Sequence, residues 1–466
     1  LEKFLLNFSE FILAHLELLV GFLLAAAFAV KAVMQRRSPS GAIAWLLIIL
    51  LAPYVGVPLY FIFGGRKIQK QARRKGTMRL SEANLELKGE IRGIDQLLRA
   101  YDIPGACDGA RVQLLTTGEQ IYETLARQID EASKSCWIMT FILTPDPVGL
   151  DIIDRLARKA AQGLDVRLLV DDLGSLRLSY RHVEPLIKAG GRFATFMPVL
   201  HLPFRGQTNL RNHRKIAIFD GSKVIAGGTN IATEYIGPAP RAGRWKDLSF
   251  LLEGPAVRHY AEIFAEDWSF ATGVSLEIPT LDDDRAGDAV VQVVPSGPDV
   301  EGDPLHHAEL SALFAARESI LVVTPYFVPD ESLSLALALA ARRGVETTLI
   351  VPLHSNKKLL DMVRSTYMRQ IMQAGAKVLL YQPTMIHAKV LVVDDRLAMV
   401  GSANMDMRSL FLNFEAMLLM YSKPDIQAVR QWINSLSVQC VEADLRPVGK
   451  MREFSESATR LLAPLL

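Results

Sequence analysis

The sequence predicts an α/β protein made of two similar halves and preceded by two transmembrane helices. Three observations carry this. There are two long apolar stretches at the N-terminus, alternating strand-like and helix-like segments from Arg111 onward, and a constellation of His, Lys, Asp, Gly and Asn that occurs twice. At 466 residues the chain is long enough for two or three units, each burying its own core.

Phe11 to Val33 is a mostly apolar stretch of 23 residues, interrupted by His15, Glu17 and Lys31. Gly41 to Gly65 follows, 25 residues without a charge, where a bilayer needs about 20. The charges inside the first stretch, the missing small-residue cleavage site and the second stretch speak against a cleaved signal peptide. Pro53 and Pro58 are where the second would kink or turn back. Arg66, Lys67, Lys70, Arg73, Arg74 and Lys75 then place six positive charges within ten residues, against Arg36 and Arg37 between the two stretches. The excess of basic residues on the C-terminal side puts the bulk of the chain in the cytoplasm. The same cluster would attract anionic headgroups.

From Arg111 the pattern becomes α/β. Val112 to Leu115, Trp137 to Leu143, Val166 to Val170 and Phe193 to Met197 read as strands, separated by helical stretches such as Gln120 to Ala132 and Leu150 to Gln162. The plan repeats with strands at Val290 to Val294, Ile320 to Thr324, Glu346 to Val351 and Lys377 to Tyr381, and a helix from Ser332 to Arg343. Polar, turn-rich Pro279 to Gly287 divides the repeats. The expected organisation is an anchor over 1–66, a basic linker over 67–110, and two α/β halves over 111–278 and 288–466.

A net charge of +2 gives no global basic field, so the composition speaks against a dedicated nucleic-acid binder. Cys107, Cys136 and Cys440 are widely and irregularly spaced and read as reduced thiols.

The chemistry lies in the repeat. His213, Lys215 and Asp220 precede Gly227, Gly228 and Asn230; His387, Lys389 and Asp394 precede Gly401, Ser402 and Asn404. In both copies the Asn stands 17 residues after the His. A given residue type falls at a given offset about once in ~20 positions, so five matching residues, at four fixed offsets from the His, are not coincidence. The segments His213 to Phe219 and His387 to Val393 look like strands, on which residues two apart share a face, so each copy offers one imidazole and one ammonium together. The Gly-Gly-Thr-Asn and Gly-Ser-Ala-Asn turns are expected to supply backbone N–H and amide donors to a tetrahedral anion, with Gly228, Asn230, Ser402 and Asn404 as its binding residues. Two imidazoles and two ammonium groups suffice for phosphodiester chemistry without metal or cofactor, one histidine as nucleophile and the other as general acid and base. The lysines and asparagines would hold the phosphoryl oxygens.

The doubled motif resembles the phospholipase D superfamily, and its surroundings resemble the bacterial cardiolipin synthases. The likeness is carried by Arg211-Asn212-His213-Arg214-Lys215, Gly227-Gly228-Thr229-Asn230-Ile231, Trp245-Lys246-Asp247, Thr324 to Asp330, and Asn404 to Ser409 running on to Asn413-Phe414-Glu415. It implies two halves whose motifs meet at a pseudo-twofold axis. The implied reaction is transfer of a phosphatidyl group between two phosphatidylglycerol molecules, through a phosphohistidine assigned to His213, giving cardiolipin and glycerol. It also implies that an acid downstream of each motif orients an imidazole through its second nitrogen; Asp247 and Glu415 are placed for this, with the pairing left open. Asp220 and Asp394 belong to the motif, with a structural role favoured over proton transfer. The sequence departs from the family at Ser355-Asn356, where Ser-Asp is more usual, and at Gly227-Gly228-Thr229, where Gly-Ser is.

Lipid hydrolysis and phosphatidylserine synthesis are rival reactions for the same site. A nuclease is disfavoured by charge balance and anchoring, and an inactive scaffold by retention of both full motifs. The partners expected are phosphatidylglycerol, cardiolipin and the membrane, and no nucleic acid. A homo-oligomer is compatible with the sequence.

Overall fold

The computed structural model describes residues 39–59, 75, 78–83, 85–87, 89–197, 210–278 and 285–444, with isolated positions at 23, 26, 30 and 449. The described residues fall into two compact units, one N-terminal and ending at residue 74, the other beginning at residue 75.

In the N-terminal unit, helix α1 spans Pro39–Leu51 and α2 spans Pro53–Leu59. Pro53 has no N–H to continue the first helix. Gly56 packs so close to it that a Cβ there would lie 2.5 Å from the Ile48 carbonyl oxygen. The uncharged stretch expected as one crossing is therefore broken among its described residues. No helix among the described residues is long and apolar enough to cross a membrane. Most of the first expected crossing, Phe11 to Val33, lies outside the described residues, as do five of the six basic residues after the second.

In the larger unit, after α3 (Arg92–Arg99), the first half contains β1 (Cys107–Leu115), α4 (Gly118–Glu131), β2 (Ser135–Thr140), α5 (Pro147–Ala161), β3 (Asp165–Asp171), α6 (Tyr180–Lys188), β4 (Arg192–Phe196), β5 (Ile216–Phe219), β6 (Lys223–Gly227), β7 (Ser249–Glu253) and α7 (Val257–Thr272). The second half contains β8 (Ala289–Ser296), α8 (Pro304–Ala315), β9 (Ser319–Val323), β10 (Phe327–Val328), α9 (Glu331–Arg342), β11 (Glu346–Pro352), α10 (Lys358–Gln373), β12 (Lys377–Tyr381), β13 (Val390–Val393), β14 (Leu397–Gly401), β15 (Met405–Asp406), α11 (Met407–Phe411), β16 (Glu415–Met420), α12 (Lys423–Ser437) and β17 (Cys440–Glu442).

Fifteen of these strands form one sheet in the order 17-12-11-9-13-14-16-8-1-7-6-5-2-3-4. Reading outward from the antiparallel β1–β8 pair, β1-β7-β6-β5-β2-β3-β4 is matched by β8-β16-β14-β13-β9-β11-β12, so the duplication seen in sequence is a duplication of topology. The parallel strands β3 and β11 are buried on both faces, as expected where helices cover both sides of a sheet. Each half has its own core, with Ile138, Ile152, Leu156 and Leu168 in the first and Val322, Leu337, Leu349 and Val363 in the second.

The expected strands His213 to Phe219 and His387 to Val393 begin later than the sequence suggests, at Ile216 and Val390. The motif His and Lys occupy extended segments just ahead of β5 and β13. The reason is where their backbone bonds go. His213 N–H donates to the Phe414 carbonyl (2.9 Å) and His387 N–H to the Lys246 carbonyl (2.7 Å), each reaching into the opposite half. Asn212 accordingly bridges to Phe414, and Ile386 to Lys246.

Candidate active site

The segments ahead of β5 and β13 bring the two motifs to the junction between the halves. His213, Lys215, His387 and Lys389 are all buried, as are Asp247 and Glu415. The positive charges of Lys215 and Lys389 are each felt by the imidazole of the other motif. The four groups thus form one centre.

The acids pair crosswise. Nδ1 of His213 lies 3.0 Å from Oε2 of Glu415, which belongs to the second half. Nδ1 of His387 lies 2.7 Å from Oδ2 of Asp247, which belongs to the first. A proton on each Nδ1 satisfies the carboxylate and leaves the lone pair on Nε2. Burial, with the nearby lysines, pushes the His213 pKa down to about 4 and that of His387 to about 3, despite the opposing carboxylates. Both imidazoles are neutral at pH 7. Although burial opposes ionisation of Glu415 and Asp247, their cationic and hydrogen-bonding partners hold both below the ordinary carboxylate range.

Each lysine folds back on its own motif. Lys215 Nζ donates to the His213 carbonyl at 2.5 Å. Lys389 Nζ donates to the His387 carbonyl and sits 2.8 Å from Nδ1 and 3.2 Å from Nε2 of that ring. Burial lowers both lysines, Lys389 to about 8. Aromatic rings wall the two imidazoles, Phe141 at 5.0 Å from His213, and Tyr235 and Trp245 at 5.2 and 5.5 Å from His387.

Several expected roles change. Gly228 spends its N–H on the Leu248 carbonyl (3.1 Å) and Ser402 spends its own on the Ala416 carbonyl (3.1 Å), so neither of these two residues offers the backbone donor expected of it at the phosphate. Gly228 is instead needed for space, since a Cβ would stand 2.3 Å from Asp247 Oδ1 and 3.2 Å from Lys389 Cδ. The Ser402 hydroxyl donates to Glu415 at 2.6 Å, and its carbonyl lies 3.0 Å from His213 Nδ1, so it steadies the acid and the ring together. Asn230 accepts from Ile142 N–H at 3.1 Å, leaving its buried amide nitrogen without a hydrogen bond among the described residues. The buried Asn404 side-chain oxygen likewise has none.

Asp220 and Asp394 are not part of the centre. Asp220 takes the backbone N–H groups of Ser133, Lys134 and Ser135 at 2.7–3.1 Å, and Asp394 takes those of Arg317, Glu318 and Ser319 at 2.8–3.4 Å. Each ties the turn after a motif strand to the loop entering the neighbouring one.

Arg214, between the motif's own His and Lys, was not singled out by its spacing. It is fully buried, binds both oxygens of Asp267 at 2.9 Å, contacts Asp299 at 3.3 Å, and donates through Nε to the Glu415 carbonyl at 3.0 Å. The second motif has Ala388 in its place. Lys75, expected among the exposed basic residues, completes this cluster by binding Asp267 and Asp299 (2.5 Å to the latter), with its side chain 2% exposed.

Residues 125–268 and 310–437 match the family model described as cardiolipin synthase, phospholipase D-like domain, and residues 23–65 match the phospholipase D-nuclease N-terminal model. The chain is 33% identical to cardiolipin synthase A of Pseudomonas aeruginosa, covering 96% of each chain. It is 31% identical to cardiolipin synthase 2 of Bacillus anthracis, covering 93% of this chain and 88% of that one. Among solved structures, phosphatidylserine synthase of Haemophilus influenzae shares the fold, with a TM-score of 0.60 at 16% identity over 81% of this chain and 100% of that one. Both halves carry the matched domain and the relatives align along nearly the whole length, so this chain belongs to the cardiolipin synthase family of phospholipase D-like proteins.

Proposed function

We propose that this chain is a cardiolipin synthase that transfers a phosphatidyl group from one phosphatidylglycerol to the hydroxyl of another. The observation that carries the mechanism is the crossed pairing of His213 with Glu415 and of His387 with Asp247. It leaves the Nε2 atoms of both rings free of a carboxylate, with Lys389 3.2 Å from that of His387.

His213 is the nucleophile, since Lys389 lies against Nε2 of His387 and not of His213 in the bonds described. Its Nε2 forms a bond to phosphorus as the bond to the glycerol oxygen breaks, and the leaving oxygen takes a proton from His387 Nε2. That proton is available once the anionic phosphodiester enters and offsets the lysine charges that keep His387 neutral. After glycerol departs, His387 removes the proton from the hydroxyl of a second phosphatidylglycerol. The new oxygen–phosphorus bond forms, the nitrogen–phosphorus bond breaks, and cardiolipin leaves with His213 restored. Lys215, Lys389 and the amide nitrogen of Asn230 hold the phosphoryl oxygens.

Ile43, Leu47, Leu50, Tyr54 and Val55 of the N-terminal unit are exposed apolar side chains, which supports a bilayer environment for that unit. The anchor and the cytoplasmic placement of the catalytic halves belong to this reading.

The test is incubation of purified protein with phosphatidylglycerol in mixed micelles containing a chelator. Cardiolipin and glycerol in equal amounts support the reading. Phosphatidic acid as the main product would mean that water resolves the intermediate and the protein is a hydrolase.

A further inference from the structure

The two halves place corresponding loops at the carboxyl ends of corresponding strands, β3 in the first and β11 in the second, where open α/β sheets hold their ligands. Both loops are fastened to the catalytic centre. In the first, Asp171 accepts from Leu173 and Gly174 N–H (3.0 and 3.1 Å) with one oxygen and from Asn212 N–H (3.0 Å), next to His213, with the other. Ser175 bonds the carbonyl of Phe141 (3.1 Å), whose ring edges His213. In the second, Tyr326 donates to Asn356 at 2.6 Å and lies 5.2 Å beneath the Lys357 ammonium. Thr324 bonds both the Tyr326 carbonyl (2.9 Å) and the N–H of Met405 (3.2 Å), next to Asn404.

Each of the two loops also has an unusual outer surface. In the first, Leu173, Leu176 and Tyr180 are 40%, 64% and 65% exposed; in the second and the start of α10, Leu359 and Met362 are each 41% exposed. Basic residues are interleaved with them, Arg177 and Arg181 on one side and Lys357 and Lys358 on the other, all exposed. Residues 173–181 contain no acidic residue, and the one acid between Leu359 and Met362, Asp361, is paired with Arg364 (3.2 Å) and accepts from Ser355 N–H (3.0 Å). Neither core needs these apolar side chains, and exposing them in water is unfavourable.

We infer that these two rims form a bilayer-docking surface, on which the catalytic halves rest with the mouth of the site against anionic phospholipid. The inference rests on the proposed reaction for its substrate. The occupant follows from the composition of the rims. Apolar side chains beside basic ones, with the one intervening acid already paired, match the acyl–headgroup boundary of an anionic membrane. Docking there lets phosphatidylglycerol pass from the leaflet to the centre without its chains crossing water.

The full chain is tested in nanodiscs of phosphatidylglycerol and phosphatidylcholine. Leu176→Trp and Leu359→Trp are made separately, and their added fluorescence over that of the parent protein is measured with and without brominated acyl chains. Quenching at both positions is expected. Its absence overturns the inference, and so does a doubled particle mass with both positions shielded, which assigns the face to a second copy. This arm reads the surface even if phosphatidylglycerol proves not to be the substrate. In the kinetic arm, Leu176→Asp combined with Leu359→Asp lowers turnover of phosphatidylglycerol in bilayers about tenfold or more and leaves monomeric short-chain phosphatidylglycerol unaffected. Equal loss on both substrates, or loss on neither, overturns the docking role.

Discussion

Glu415 and Asp247 each reach across the junction to the histidine of the other half, so neither half holds a complete proton-handling pair. Glu415→Gln and Asp247→Asn keep the shape and remove the charge that orients each ring. Each is expected to lower kcat by about 10²-fold or more, with circular dichroism unchanged. Lys389 makes a separate prediction. A lysine is charged below its pKa, and burial brings this one to about 8, so kcat/KM falls as pH rises through about 8. Lys389→Arg, whose guanidinium stays protonated, gives a slower enzyme without that alkaline limb. A limb that persisted in the variant would assign it to another group. The sequence placed His213, Lys215, His387, Lys389, Asp247 and Glu415 among the site residues. It left the pairing of acids open because the partners are 202 and 140 residues apart and no local period relates them. Ser402 shows the same limit, since only the fold reveals that its hydroxyl serves Glu415 and its N–H is already taken.

At the scale of elements, the motif strands are shorter than their apolar alternation suggests, because their first residues exchange backbone bonds with the opposite half. The alternating pattern reports burial, which continues through His213 and Lys215, and not the partner that accepts the N–H. The turn after each strand holds Asp220 or Asp394 in the left-handed region, at φ of 52° and 48°, which aspartate tolerates better than most residues. Each carboxylate there replaces the partners that the N–H groups of the adjoining loop would otherwise lack. Asp394→Ala should destabilise the fold by about 2–3 kcal/mol in denaturant titration of the detergent-solubilised protein. Its kcat at a temperature where it stays folded should fall far less than that of a histidine variant. A loss of kcat as deep as that of His387→Ala would return Asp394 to the catalytic machinery. In the N-terminal unit the sequence supplied the cause of the break as well as the apolar stretch, since Pro53 stands where α1 ends and α2 begins.

At the scale of the molecule, the residues behind the first motif join distant parts of the chain in one buried charge cluster. Lys75 and Arg214 face Asp267 and Asp299, all with side chains at most 2% exposed. Lys75 also lies 4.7 Å above the ring of Phe414, whose carbonyl accepts from His213. Removing that ammonium leaves two buried carboxylates facing one guanidinium, and losing one partner of a buried ion pair costs about 3–5 kcal/mol. Lys75→Met is expected to lower the unfolding free energy by that order, and Lys75→Met with Asp299→Asn to recover much of it. Equal destabilisation by the single and double variants would mean that charge balance is not what Lys75 supplies.

The sequence by itself determined the duplication, the members of each motif, the α/β alternation and the apolar character of the N-terminus, because spacing and periodicity are local properties written along the chain. The tertiary structure alone decided that the acids serve opposite halves, that Lys75 is a core residue and not a headgroup ligand, and that the N–H groups of Gly228 and Ser402 are spent before any phosphate arrives. Those outcomes depend on how two similar sheets meet at β1 and β8. The geometry of that junction brings together residues that no pattern within either half relates.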